Sequence, residues 1–248
     1  MGQRLALIHC ALAHGDVWRP FLDALNLDVD PILIELPGHG DAEEWDRDRD
    51  YSDQALEIAL DALPSEPVPL IGHSFGAVLA LRLAVERPTR VSSLVLIEPV
   101  FYAAVAGTYL FDKLRRDMAP FAEKARDGSH AMATKAFVKN WGSGEAWEDI
   151  PEIQKRYLVD RIEHVLAGEE LLWEDPPGLL REGRIEALDM PVTLVEGEAS
   201  DPIITKIVDA LGARMPDAEG ITVPKAGHMV PITHPVPVAE AVRERLVW

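Results

Sequence analysis

This sequence predicts a doubly wound, mostly parallel α/β sheet of about six strands, interrupted by a helical insertion. Three observations predict it. Short runs built almost wholly of Val, Ile and Leu recur along the chain without the alternation of a half-exposed strand, which suits a parallel sheet buried on both faces. Helical stretches separate these runs, as strand–helix repeats require. The chain has 248 residues and a hydrophobic fraction of 48%, enough for one large core domain carrying an insertion.

The elements follow in order. The run Leu5-Ala6-Leu7-Ile8 predicts the first strand, and residues 17–25 a helix. Ile32-Leu33-Ile34-Glu35 predicts the second strand, followed by a densely charged exposed loop over residues 41–53 and a helix over about residues 52–63. Val68-Pro69-Leu70-Ile71 leads into Gly72-His73-Ser74-Phe75-Gly76 and a helix over residues 77–87, stopped by Pro88. Strands are expected at residues 91–97, 192–196 and 221–223, with helices over about residues 203–213 and 236–246 after the last two. Residues 101–187 break the pattern. They hold no convincing strand, carry Trp141, Trp147 and Trp173, and are rich in helix formers. The domain reading is therefore a core of residues 1–100 and 188–248 with a helical cap at 101–187, packed over the carboxyl ends of the strands, where ligands bind in open α/β sheets. For each of those tryptophans a packing role is the first expectation.

Gly72-His73-Ser74-Phe75-Gly76 carries chemistry because of its context. A serine hydroxyl is a poor nucleophile until a fold holds it and a base takes its proton. A sharp turn between strand and helix pushes the hydroxyl out of the sheet and leaves the next backbone N–H aimed at a developing oxyanion. Side chains at Gly72 or Gly76 would collide with the adjoining strand and helix. The base and its orienting acid follow such a serine in the order acid, then histidine. The loop Glu196-Gly197-Glu198-Ala199-Ser200-Asp201 offers Asp201 as the acid, with Glu98 in reserve and Glu198 third. The loop Pro224-Lys225-Ala226-Gly227-His228 offers His228 as the base. One oxyanion donor is expected at the backbone N–H of Phe75 and the other at Ala11, in the loop after the first strand. Cys10, the single cysteine, lacks a helix N-terminus or a neighbouring cation to lower its pKa and reads as a small buried residue. His9, His14, His39, His73 and His234 read as structural or pocket-lining, and no histidine has metal-ligand spacing.

With these residues in view, the sequence resembles the α/β-hydrolase superfamily, in particular its small bacterial members with a helical cap. The resemblance rests on His9 followed by Trp18, on Glu35-Leu36-Pro37-Gly38-His39-Gly40, on the elbow at Ser74, on Leu96-Ile97-Glu98-Pro99 and on Ala226-Gly227-His228. It covers the chain outside the cap and implies a Ser–His–Asp mechanism through an acyl-enzyme, with no cofactor. The chain departs from the pattern at Cys10, where glycine is usual, and in a Gly197 to Asp201 interval one residue longer than common. It also begins at what is usually the third strand, so the N-terminal hairpin is expected to be absent. Serine at the elbow, rather than aspartate, disfavours haloalkane dehalogenase and epoxide hydrolase chemistry.

The expected reaction is hydrolysis of a carboxylic ester or lactone of a small, largely apolar substrate. The same triad could instead cleave a C–C or amide bond or run a lyase reaction, and a ligand-binding protein on a hydrolase scaffold is the non-enzymatic alternative. With 24 Lys and Arg against 42 Asp and Glu, the formal net charge is -18, which disfavours nucleic acid and anionic membranes as partners. The expected partner is a small-molecule substrate, the expected assembly a monomer or homodimer, and no metal site is expected. The single cysteine, the lack of a signal-peptide pattern and the lack of a membrane-length apolar run point to the cytoplasm.

Overall fold

Apolar side chains on both sides of each central strand demand cover on both faces, and the computed structural model, which describes residues 2–248, provides it. Six strands, β1 (Gln3–Ile8), β2 (Val29–Ile34), β3 (Val68–His73), β4 (Val91–Ile97), β5 (Val192–Gly197) and β6 (Ala218–Val223), pair in the order β2-β1-β3-β4-β5-β6. Every pairing is parallel. Side chains alternate between the faces with the strand period of two. Leu5, Leu7, Ile71, Val95 and Val195 pack beneath α1 (Arg19–Leu25) and the C-terminal helix Pro235–Arg243. Ala6, Ile8, Leu70, Leu94 and Leu96 face the opposite layer, which includes α2 (Tyr51–Ala62) and α3 (Phe75–Glu86).

Between β4 and β5 the chain is helical, as its composition predicts. It forms α4 (Tyr109–Arg126), α5 (His130–Trp141), α6 (Glu152–Asp160), α7 (Ile162–Ala167) and α8 (Glu169–Glu174). These helices pack mainly on one another, and reach the sheet's own helices where α7 meets α2 and α4 meets α9 (Pro202–Gly212). Two short elements close the chain, α10 (Val230–Thr233) and α11 (Pro235–Arg243). No helix among the described residues is long and apolar enough to cross a membrane.

The topology locates the site. From β1 the chain moves outward to β2, then crosses back to β3 on the other side of β1. At that reversal the loops after β1 and β3 diverge and leave a crevice at the strands' carboxyl ends. The loop holding Ala11, the turn holding Ser74 and the end of β4 at Glu98 all open there, and β6 delivers His228 to the same edge.

Candidate active site

The turn after β3 is as tight as its glycines imply. A Cβ on Gly72 would lie 2.2 Å from the Gly76 carbonyl oxygen, and one on Gly76 would lie 2.4 Å from that of His9. Ser74 is held at φ 57° and ψ -117°, a sparsely populated conformation that persists only where surroundings impose it. Those surroundings include the Ser74 N–H, which donates to the Ile97 carbonyl at 2.9 Å.

The side chain of His228 lies between Ser74 and Glu98. Its Nε2 is 2.9 Å from the Ser74 hydroxyl, and its Nδ1 is 2.9 Å from Glu98 Oε2. Since a carboxylate only accepts, Nδ1 carries the proton and Nε2 is free to accept from the hydroxyl. Burying a carboxylate carries a large desolvation penalty unless hydrogen bonds compensate. Glu98 is fully buried, and its Oε1 accepts from the Gly197 N–H at 2.6 Å and the Ser200 hydroxyl at 2.7 Å. The backbone of Glu98 sits at φ 51° and is pinned by its own N–H to the Val195 carbonyl at 2.8 Å.

Asp201, first choice for the acid from the sequence, is elsewhere. Its carboxylate accepts from the Ile203 N–H at 3.0 Å and caps α9. The additional residue between Gly197 and Asp201 is the physical reason. It sets Ser200 where its hydroxyl reaches Glu98, and leaves Asp201 at the helix N-terminus, where a carboxylate is favoured. Glu198 is also away from His228 and accepts from the Lys225 N–H at 2.9 Å, bracing the loop before His228.

Ala11 and Phe75 line the cavity beside Ser74. Their backbone N–H groups have no protein acceptor among the described residues. The loop carrying Ala11 is fixed without the usual glycine. The positive φ falls at Leu12, 63°, and the Leu12 N–H donates to His39 Nε2 at 3.2 Å. His9 Nδ1 donates to the Cys10 carbonyl at 2.7 Å, and Tyr157 of α6 donates its hydroxyl to the Ala13 carbonyl at 2.8 Å. Burial pushes the Cys10 thiol up to about 12, so it stays protonated and inert near neutrality. His73 lies behind His228, its Nε2 donating to the His228 carbonyl at 2.9 Å. Burial and the neighbouring His228 push His73 down to about 3.

The cavity at Ser74 is about 40 Å3 and is walled largely by aromatic side chains. Trp141 meets the His228 ring edge-on at 4.8 Å, and Trp173 packs tilted against Tyr102 at 4.4 Å. The sequence does not reveal these contacts, because nothing in a helical pattern shows which tryptophan faces the sheet. Trp147 instead lies under the Lys155 ammonium, 5.7 Å from the ring centroid. Glu169 also lines the cavity, and burial raises its carboxyl above the usual range. Among the described residues no cluster of His, Cys, Asp and Glu could hold a metal ion.

Comparison with known proteins adds a family. A sequence profile described as the alpha/beta hydrolase family matches residues 5–241. Lipase LipV of Mycobacterium tuberculosis is 29% identical over 260 residues, spanning 98% of this chain and 93% of its own. A pimeloyl-[acyl-carrier protein] methyl ester esterase of Aeromonas hydrophila is 27% identical over 248 residues, spanning 97% and 94%. Among solved structures, the 2-hydroxy-6-oxo-6-phenylhexa-2,4-dienoate hydrolase of a Rhodococcus species superposes with a TM-score of 0.73 over 98% of this chain and 90% of that one, at 18% identity. At that identity the likeness speaks for the fold alone.

Proposed function

The chain belongs to the alpha/beta hydrolase family, and on that premise we propose that it hydrolyses carboxylic esters, lactones included, through an acyl-enzyme on Ser74. The observation that carries the reading is the unbroken hydrogen-bonded line from the Ser74 hydroxyl through His228 to Glu98. The similar proteins named as a lipase and a methyl ester esterase support the same bond class.

In this mechanism His228 Nε2 takes the Ser74 proton as the oxygen attacks the ester carbon. The resulting oxyanion is met by the N–H groups of Phe75 and Ala11, and such preorganised donors are each worth on the order of 10²- to 10³-fold in kcat. His228, now an imidazolium steadied by Glu98, returns the proton to the departing alcohol. A water activated by the same nitrogen then attacks the acyl-enzyme and releases the acid. Residues 101–187 act as the cap. They bring Trp141 and Trp173 over the serine and exclude bulk water, which strengthens every charge interaction in the site. None of these steps draws on a cofactor.

The test is turnover of p-nitrophenyl acetate by the wild type and by Ser74→Ala, with intact-mass analysis for an acetylated Ser74. The variant is expected to lose on the order of 10³-fold or more in kcat. A Ser74→Ala protein with wild-type turnover would refute the assignment of the nucleophile.

A further inference from the structure

Two hollows of very unequal size share a wall at Ala11, Phe137 and Trp141, and the smaller contains Ser74. The one that contains its hydroxyl measures about 40 Å3. That is about a tenth of its neighbour's volume, so of the two it suits the shorter substituent. It is also stiff. The Tyr51 and Phe75 rings pack at 5.7 Å, and the Gly168 backbone presses on Phe75 so closely that a Cβ there would come within 2.6 Å of the ring. The second hollow, about 410 Å3, has the size of an ordinary small-molecule site. Its wall is largely apolar, built from Val17, Val138, Ile150, Leu158, Met229 and Ile232. Ala11, Phe137 and Trp141 line both hollows and divide them. The larger one reaches the surface at Ile153, a large apolar side chain that is 83% exposed.

The chemistry orients the pair. In the tetrahedral intermediate the leaving oxygen must lie within reach of His228 Nε2, and its substituent runs outward past the imidazole, while the acyl substituent points away from it. Met229 directly follows His228, Ile232 comes one helical turn later, and Trp141 packs edge-on against the His228 ring. All three line the large hollow. The small cavity holds the Ser74 hydroxyl and the His228 ring themselves and is closed by Phe75, Tyr102 and Trp173.

Building on the hydrolase reading above, we propose that the preferred substrates are esters of short-chain acids with long apolar alcohols. The compact cavity holds the acyl group, and the groove beyond Trp141 holds the alcohol chain. Each methylene that enters the groove then raises kcat/KM by up to about fourfold until the groove is full.

Two mirror-image ester series test this, methyl to decyl acetate and methyl acetate to methyl decanoate. Rising kcat/KM along the first and a fall of at least tenfold along the second are expected. The opposite pattern would assign the groove to the acyl chain, and a flat response in both would remove it from substrate binding; either overturns the proposal. Ile153→Asp, at an exposed position, is expected to lower the decyl-to-methyl acetate ratio of kcat/KM at least fivefold, and an unchanged ratio counts against the groove. Titration of 1-decanol into the Ser74→Ala protein, followed by tryptophan fluorescence, examines the groove without the chemistry. Saturable quenching, weakened by Ile153→Asp, supports it even if no ester is turned over, and absence of saturable binding overturns it.

Discussion

Glu98 and Asp201 are both acidic residues at the carboxyl edge of one sheet, and what separates them is the hydrogen bonding that each satisfies. Glu98 is fully buried and accepts from Gly197, Ser200 and His228. Asp201 accepts from the start of α9. Glu98→Gln is therefore expected to lower kcat on the order of 10³- to 10⁴-fold, since the amide favours the wrong imidazole tautomer. Asp201→Ala should keep kcat within about threefold and lose about 1 kcal/mol of stability, the ordinary effect of removing a helix cap. Ester kinetics together with urea unfolding of the two variants check both, and the reverse pattern would return the acid to Asp201. Ser74 and His228 stand out in the sequence because their loops have recognisable partners, Gly72 and Gly76 for one and Ala226-Gly227 for the other. The acid does not stand out in this way. Choosing it requires the positive φ of Glu98 and the position of Ser200, and both are products of tertiary packing.

The elements of the sheet were legible for a related reason. β3, β4 and β5 are buried on both faces, so each is an apolar run that announces itself. The two edge strands are longer than their apolar runs. β2 begins at Val29 and β6 at Ala218, because Asp30, Pro31, Glu219 and Gly220 extend strands that have one open side. The segment between β4 and β5 is legible only as helical, since its helices pack mainly on one another. Two predictions belong at this scale. Gly76→Ala forces a Cβ to within 2.4 Å of the His9 carbonyl oxygen, and is expected to lower unfolding stability by about 1–3 kcal/mol and to displace the serine, read by denaturant titration and loss of fluorophosphonate labelling. Tyr157 of α6 bridges two core loops, donating to the Ala13 carbonyl and accepting from the Gly40 N–H at 3.3 Å. Tyr157→Phe should loosen the loop that bears Ala11 and lower kcat severalfold, with a stability loss of about 1 kcal/mol in thermal unfolding.

At the scale of the whole molecule, the buried imidazoles impose a pH dependence on folding. Burial pushes His39 down to about 2 and His73 down to about 3, against about 6.5 in an unfolded chain. Above that value neither state binds the proton. Below it only the unfolded chain does, so stability falls as the pH falls from about 6.5 toward about 3, by about 2 kcal/mol per ring at pH 5. Urea unfolding between pH 7.5 and pH 5 should show this loss, and His73→Asn should flatten the dependence by about one proton. Because the variant and the parent share the formal net charge of -18, their difference isolates the ring. The same long-range architecture also sets an order in time. His228 meets partners 130 and 154 residues before it. A chain leaving the ribosome thus carries its elbow without His228 until the loop after β6 has emerged, and contacts so distant in sequence form slowly. In refolding from denaturant, regained turnover becomes a clock for the docking of β6 and the loop behind it, trailing the signals that report the β1-β3-β4 centre.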